Sequence, residues 1–264
     1  MKIIFFTQED PFYVKAFFDE FLRLYAPTDE IKAIVLSRPM GKKTILHLAR
    51  QMYNFYGLLD FLRMGTRYAF IKLMQHRNIT RSAAGEVDKT YTIKQLATAY
   101  GIDVIERSDL NDKSFLQEIK RHDADLFISV ACPIIFKKEL INMPRLGCIN
   151  IHNAPLPKYR GMLPNFWQLY HDEKESGITV HRINTGIDTG DIIAQRYVPI
   201  QPEETLHSLI LKTKRQGAQI MIDVIDDFRH ERIRSIKMSG AGSYFTFPSR
   251  KEVLELKRRG RRLL

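Results

Sequence analysis

Two cysteines, Cys132 and Cys148, are all the thiols that 264 residues offer. Both lie in apolar runs, so buried thiols are expected, and neither a disulfide framework nor a zinc site is supported. No apolar stretch is both long and uncharged enough to span a bilayer. Lys2 leads straight into a short apolar run, with no long h-region and no small-residue cleavage site. A cytoplasmic protein is therefore expected. A Gly-rich phosphate loop is missing after that first run, where Gln8-Glu9-Asp10-Pro11 stands instead, so a dinucleotide site has no support. Repeats, low-complexity tracts and metal-ligand clusters are missing too. The chain is rich in positive charge: 41 Lys and Arg stand against 30 Asp and Glu, a formal net charge of +11. Such an excess suits an acidic partner, whether nucleic acid, a nucleotide-sugar diphosphate or an anionic membrane surface, without choosing among them. Part of it sits in Lys257-Arg258-Arg259-Gly260-Arg261-Arg262, which reads as a solvated tail.

The length suits one domain, or one domain with a small appendage. Lys2 to Thr7 has the short apolar character of a central parallel strand, and Phe12 to Leu24 carries apolar residues at helical spacing. Glu30 to Leu36 reads as a second strand, ending at Ser37-Arg38-Pro39. Thr44 to Met74 is helical in pattern but interrupted by Arg50, Asp60, Arg63, Arg67 and Lys72. It is expected to be an insertion packed on the sheet edge or in a homodimer interface; the competing reading is an amphipathic segment on a membrane or over the acceptor site. Ser82 to Tyr91 reads as an exposed loop, and Thr92 to Tyr100 as a helix closed by Gly101. Strands at Ile102–Ile105 and Asp125–Val130 then alternate with helices at Ser114–Arg121 and from Lys137. That alternation predicts a Rossmann-like α/β fold, an open, mostly parallel twisted sheet with flanking helices. Further on, Leu163 to Tyr170 reads as a helix, Ile178–Arg182 and Ile192–Pro199 as strands, Glu204 to Phe228 as a helix, and Ser239 to Pro248 as a small strand or turn. The expected division is a catalytic unit over 1–200, with a helical insertion at about 40–90, and a C-terminal appendage over 201–264.

The stretch from Leu146 to Ile193 organises the rest. Asn150 and His152 are two apart in an apolar run, so on a strand their side chains share one face. Pro155 and Pro157 follow and stop the ladder. A polar pair at a strand end, before a rigid loop, is where open α/β sheets place ligand sites. Asp188 comes 36 positions after His152, between Gly186 and Gly190. An Asn, a His and an Asp brought together suit acyl transfer: the amide donates to a developing oxyanion, the imidazole handles a proton, and the carboxylate orients the imidazole. Against this stands a structural reading, in which Asn150 and His152 are only hydrogen-bonded strand-end residues and Asp188 is a turn former. His181 could serve as a second acid–base group, but with no local partner it reads as structural and stays outside the trio.

This stretch resembles the folate-dependent formyltransferase family, which includes glycinamide ribonucleotide, methionyl-tRNA and sugar-nucleotide formyltransferases. The family pattern is Asn-x-His-x-Ser-Leu-Leu-Pro, then a Tyr/Phe-Arg/Lys-Gly-like segment, and later Asp-x-Gly near an Ile-Ile pair. Asn150, His152, Pro157 and Gly161 fall on it, as do Thr179-Val180-His181 and Asp188-Thr189-Gly190, and the match runs from about Asp103 to about Ile200. Ala154 and Pro155 depart from it, standing where Ser and Leu are usual.

The resemblance implies formyl transfer from 10-formyltetrahydrofolate to a primary amine, with Asn150, His152 and Asp188 as the catalytic trio and His152 protonated. It implies that Cys132, Pro133, Ile134 and Ile135 wall the pterin, with Ile187 of the Asp188 loop opposite. Tyr159, Arg160 and Asn165 are the expected acceptor contacts. A nucleotide-linked amino sugar is the expected acceptor, because only about 64 residues follow Ile200, whereas methionyl-tRNA formyltransferases carry a substantial C-terminal barrel. Initiator tRNA remains the alternative on the basic charge. A non-catalytic basic binding module and a 10-formyltetrahydrofolate hydrolase are the readings of a different class.

Overall fold

A computed structural model describes residues 1–37, 45–79 and 90–264, so Arg38-Pro39 and the expected loop at Ser82 lie outside the described residues. Seven strands form one sheet in the order β3-β2-β1-β4-β5-β7-β8. They are β1 (Ile3–Gln8), β2 (Ile31–Ser37), β3 (Val104–Arg107), β4 (Leu126–Val130), β5 (Cys148–His152), β7 (Glu175–Arg182) and β8 (Ile192–Pro199). The first five run parallel, while β7 and β8 are antiparallel to their neighbours. A two-stranded ribbon adds β6 (Arg160–Gly161) and β9 (Tyr244–Phe245).

Alternation along the strands builds a core on each face. Ile3 and Phe5 of β1 join Leu126, Ile128, Ile149 and Ile151 on one side. Ile4 and Phe6 join Phe127 and Cys148 on the other, as a period of two requires for strands covered on both faces. The first face is covered by α1 (Val14–Leu24), α4 (Ile93–Ala99) and α8 (Leu206–Arg229). The second is covered by α5 (Lys113–Lys120) and α6 (Lys138–Ile141). Ala218, Ile220, Met221, Val224, Ile225 and Phe228 place α8 inside the main core, so the helix expected in a C-terminal appendage belongs to the central unit.

A third, aromatic-rich cluster joins α2 (Ile45–Tyr56), α3 (Leu58–Ile79), α7 (Pro164–Tyr170) and α9 (Arg250–Arg258). The expected single helix from Thr44 is two, because Gly57 adopts φ +75° between them. The basic tail is tied to the body of the protein, although Arg258, Arg259 and Arg262 stay exposed. Lys257 Nζ donates to the Tyr56 carbonyl over 2.8 Å, Arg259 to the Tyr170 carbonyl over 2.8 Å, and Leu263 is buried. Its carbonyl and that of Arg262 accept from the His207 and Leu206 N–H groups, which begin α8 and have no intrahelical partners.

The chain order reverses at β1: β2 and β3 extend on one side of it, β4 and β5 on the other. A crevice outside the carboxyl ends of β1 and β4 follows from that reversal. Thr7 closes its floor by donating to the Val130 carbonyl over 2.7 Å. The two acids after β1 are used locally. Glu9 accepts from the Ile93 and Lys94 N–H groups at the start of α4, and Asp10 from Phe12 and Tyr13 before α1.

Candidate active site

On β5, Asn150 and His152 occupy the same face as Cys148, and the antiparallel pairing sets Asn150 opposite His181 and His152 opposite Thr179. Val180 and Ile178 on β7 turn to the core, so His181 and Thr179 share the polar face with Asn150 and His152. His181 is therefore part of the site, although nothing local in the sequence showed its partner. Cross-strand register was the signal.

Hydrogen bonds fix the state of each ring. His181 Nδ1 lies 2.8 Å from the Arg182 carbonyl, which only accepts, so Nδ1 carries the proton. Nε2 is then the acceptor for Asn150 Nδ2 at 3.1 Å, which orients the amide and leaves its second N–H uncommitted to His181. His152 Nε2 lies 2.8 Å from the Tyr159 carbonyl and must donate to it. Its Nδ1 faces Asp188 Oδ2 at 3.6 Å, and Asp188 Oδ1 lies 3.6 Å from His181 Nε2. The firm hold on His152 is thus the Tyr159 carbonyl, with Asp188 a longer electrostatic partner.

Burial lowers the pKa of His152 below the usual imidazole value, and the Asp188 charge only partly opposes this. The free imidazole is neutral at pH 7, in contrast to the protonated ring expected. Burial alone would raise the Asp188 carboxyl, but the charge that His152 carries in acid, the nearby His181 ring and the Gly161 N–H at 2.9 Å outweigh it and hold it at about 2. Gly161 gives this hydrogen bond at φ +96°, where a Cβ would lie 2.2 Å from the Phe245 carbonyl oxygen. Gly190 closes the same loop: a Cβ there would lie 1.8 Å from the Arg182 carbonyl oxygen. Only glycine fits either place. Four non-glycine residues at the site, Ala131, Tyr159, Leu163 and Asp188, also adopt φ between 50° and 61°, a concentration of backbone strain of the kind found at functional sites.

Two connected depressions meet at the trio. One, of about 140 Å³, is lined by Cys132, Pro133, Ile134, Ile135, Phe136, Ile183 and Ile187 together with Asn150, His181 and Asp188. All five residues expected at the pterin line it. Ile135 and Ile187 leave 61% and 44% of their surface exposed at its mouth, which suits a flat apolar ring between them. Burial pushes the Cys132 thiol up to about 11, so it acts there as an apolar surface. The second, of about 700 Å³, shares Cys132, Pro133, Ile135, Asn150, Ile187 and Asp188 and extends to Gln8, Asp10, Tyr13, Asn153, Asn165, Lys214, Tyr244 and Phe247.

The expected acceptor contacts fare unevenly. Asn165 lines the larger cleft, but its amide nitrogen donates to Ser176 Oγ over 3.1 Å. Tyr159 is buried, gives its hydroxyl to Glu173 over 2.7 Å, and stacks on Phe245. Its role is to offer its carbonyl to His152. Arg160 forms β6 and lines neither depression. Lys214 went unnoticed within a helical pattern. It is buried in the cleft, where burial pulls its ammonium down to about 8 against the opposing effect of Asp10. Ala154 and Pro155, the two departures from the family pattern, leave the loop well held. Thr179 Oγ1 donates to the Ala154 carbonyl over 2.6 Å, and Pro155 packs on Gly177.

Among known proteins, a methionyl-tRNA formyltransferase from Syntrophus aciditrophicus is 36% identical over 186 residues, covering 70% of this chain and 59% of that protein. The chain spans about half the length of the relatives it matches. A sugar N-formyltransferase from Shewanella sp FDAARGOS_354 has the same fold, with a TM-score of 0.59, 17% identity, and coverage of 98% of this chain and 87% of that one. So does an N-formyltransferase from Helicobacter canadensis, with a TM-score of 0.56, 19% identity, and coverage of 93% and 71%. The formyl transferase family model matches residues 54–225, a span that holds both strands of the site, the Asp188 loop and most of α8, and the chain belongs to that family.

Proposed function

We propose that this protein transfers a formyl group from 10-formyltetrahydrofolate to the primary amine of a nucleotide-linked amino sugar. One observation carries the transfer: the Asn150 amide, the unprotonated His152 Nδ1 and the Asp188 carboxylate converge where a small apolar pocket opens into a wider cleft that Asp10, Asn165 and Lys214 also line. The donor's pterin suits the wall from Cys132 to Ile135 and Ile187, and the formyl group on its N10 nitrogen, just beyond the pterin, is the carbonyl that meets the trio.

As the amine nitrogen bonds to the formyl carbon, charge moves onto the formyl oxygen, and the second N–H of Asn150 is the donor for it. Loss of one such donor typically costs about 100–1000-fold in turnover. The amine gives up a proton. His152 Nδ1 takes it, and the imidazolium so formed is stabilised by Asp188 at 3.6 Å. The carbon–nitrogen bond to the donor then breaks, and that nitrogen receives the proton held by His152 as tetrahydrofolate leaves, which returns His152 to its neutral form.

For the acceptor, the support is the Helicobacter canadensis neighbour, whose structure holds folinic acid and dTDP-3-aminofucose. A second reading, methionyl-tRNA, is favoured by relatives at 33–36% identity that carry that name. The test is tetrahydrofolate release by wild type and His152→Ala with dTDP- and UDP-amino sugars beside methionyl-tRNA. Turnover of one sugar nucleotide, lost in the variant, supports the proposal. Turnover with charged tRNA alone replaces the acceptor, release without any amine indicates hydrolysis, and silence throughout overturns the transfer.

A further inference from the structure

Among the described residues, helix α3 carries an exposed apolar stripe along one side. With 3.6 residues per turn, Leu58, Leu62, Thr66, Ala69 and Leu73 follow one line along it with Leu59 and Phe70 beside them, a stripe roughly a third of the circumference. Leu58, Leu59, Leu62, Phe70 and Leu73 are each more than half exposed. The other side already makes the contacts with the protein: Met64 is buried, Tyr68 meets Phe12 at 6.5 Å between ring centroids, and Phe61 meets Tyr53 at 5.8 Å. The uncovered stripe is therefore surplus to the core. Single exposed leucines need no explanation, but a continuous stripe along a helix does.

Charge selects its occupant. Arg63 borders the stripe on one edge, with Arg67 further round, and Lys72 on the other, 5.7 Å above the Tyr68 ring, and all three are exposed. Asp60 is the sole acid of α2 and α3; it lies on the protein side, within 3.3 Å of both Lys257 and Arg63. A second copy on a two-fold axis would set these cations against their own kind. An anionic lipid surface accepts both parts of the pattern, the apolar stripe at the acyl boundary and the cations among the phosphates. No helix among the described residues is long and apolar enough to cross a membrane, so the helix would lie in the surface plane.

We infer that α3 docks this protein on an anionic bilayer, with Leu58, Leu59, Leu62, Phe70 and Leu73 in the headgroup–acyl boundary and Arg63, Arg67 and Lys72 at the phosphates. The inner side of the same helical hairpin backs the cleft. Phe55 packs on Phe247 at 5.2 Å, and Phe247 is a cleft residue. Docking holds the cleft one helical layer from the lipid.

The test is co-sedimentation of the full chain with vesicles of phosphatidylcholine alone or with 30% phosphatidylglycerol, beside light scattering of the protein in solution. Binding to the anionic vesicles and weak binding to the neutral ones is the expected result. The double variant Leu62→Glu/Phe70→Glu lowers binding at least about tenfold. Arg63→Gln/Arg67→Gln, which spares the apolar stripe, lowers it roughly 20-fold and flattens its salt dependence. Unchanged melting temperatures keep both variants interpretable. The inference is overturned if wild type fails to sediment with anionic vesicles. It is equally overturned if Leu62→Glu/Phe70→Glu binds as wild type does, or if wild type is a dimer that this variant splits.

Discussion

Asn150 and His181 face each other across the antiparallel β5–β7 pair, and the Asn150 amide donates to His181 Nε2 over 3.1 Å. The Arg182 carbonyl fixes the tautomer of His181, and His181 in turn fixes the rotation of the Asn150 amide. A residue that reads as structural in the sequence thus positions Asn150, the donor proposed to meet the developing charge.

His181→Ala should lower kcat by up to ~100-fold while changing the KM for the formyl donor little, since misplacing a donor by about 1 Å has that effect. His181→Gln keeps an acceptor for Asn150 and should recover part of the loss. Steady-state tetrahydrofolate release separates the two. Equal kcat values for His181→Ala and wild type would remove His181 from the site.

Acid should act on the site in two windows. His152 has a folded pKa below 6.5, so the unfolded chain binds its proton first, and stability falls as pH drops below 6.5. Asp188 has a folded pKa of about 2, so its contribution of about 2 kcal/mol is full above pH 4 and is lost as pH falls towards 2. Urea midpoints of wild type and Asp188→Asn should therefore differ at pH 5 and converge near pH 2. A neutral His152 base also places the acid limb of kcat/KM below pH 6.5.

Gly161→Ala should destabilise the protein by about 2–3 kcal/mol, because φ +96° and the Phe245 carbonyl both exclude a methyl group. The same change displaces the N–H that holds Asp188, so activity should fall further than the melting temperature alone predicts. Thermal melts paired with kinetics on the folded fraction would show it.

Ile135→Ser and Ile187→Ser should each raise the KM for the formyl donor by roughly tenfold, with kcat nearly kept, if these two side chains clasp the pterin. Titration of the donor at saturating amine reads this directly.

Leu263→Ala should cost about 3 kcal/mol, or roughly 5–10 °C in melting temperature, as for other buried leucines. A frayed tail would show no change.

Local pattern carried much of the fold. Continuous apolar runs at β1, β2 and β4 marked strands covered on both faces, and the helices α1 and α8 followed from apolar spacing near 3.6 residues. Gly57 divided a helix that reads as continuous, because a lone glycine inside a helical pattern does not announce positive φ. The tail differs from its sequence pattern for a related reason. Its charges look solvated in sequence, yet Lys257, Arg259 and Arg261 find carbonyl acceptors more than fifty residues away.

By itself, the sequence determined the strand–helix alternation and the Asn150-x-His152 pair with Asp188 between glycines, since these depend on spacing along one element or one loop. The tertiary structure alone decided that Tyr159 holds His152 through its backbone, that His181 orients Asn150, and that Lys214 is buried in the cleft. It also decided that the apolar side of α3 faces outward, although the hydrophobic pattern read as a packed face. A period of 3.6 says that one side of a helix is apolar. Which side meets the protein depends on where the neighbouring elements lie, and those come from distant parts of the chain.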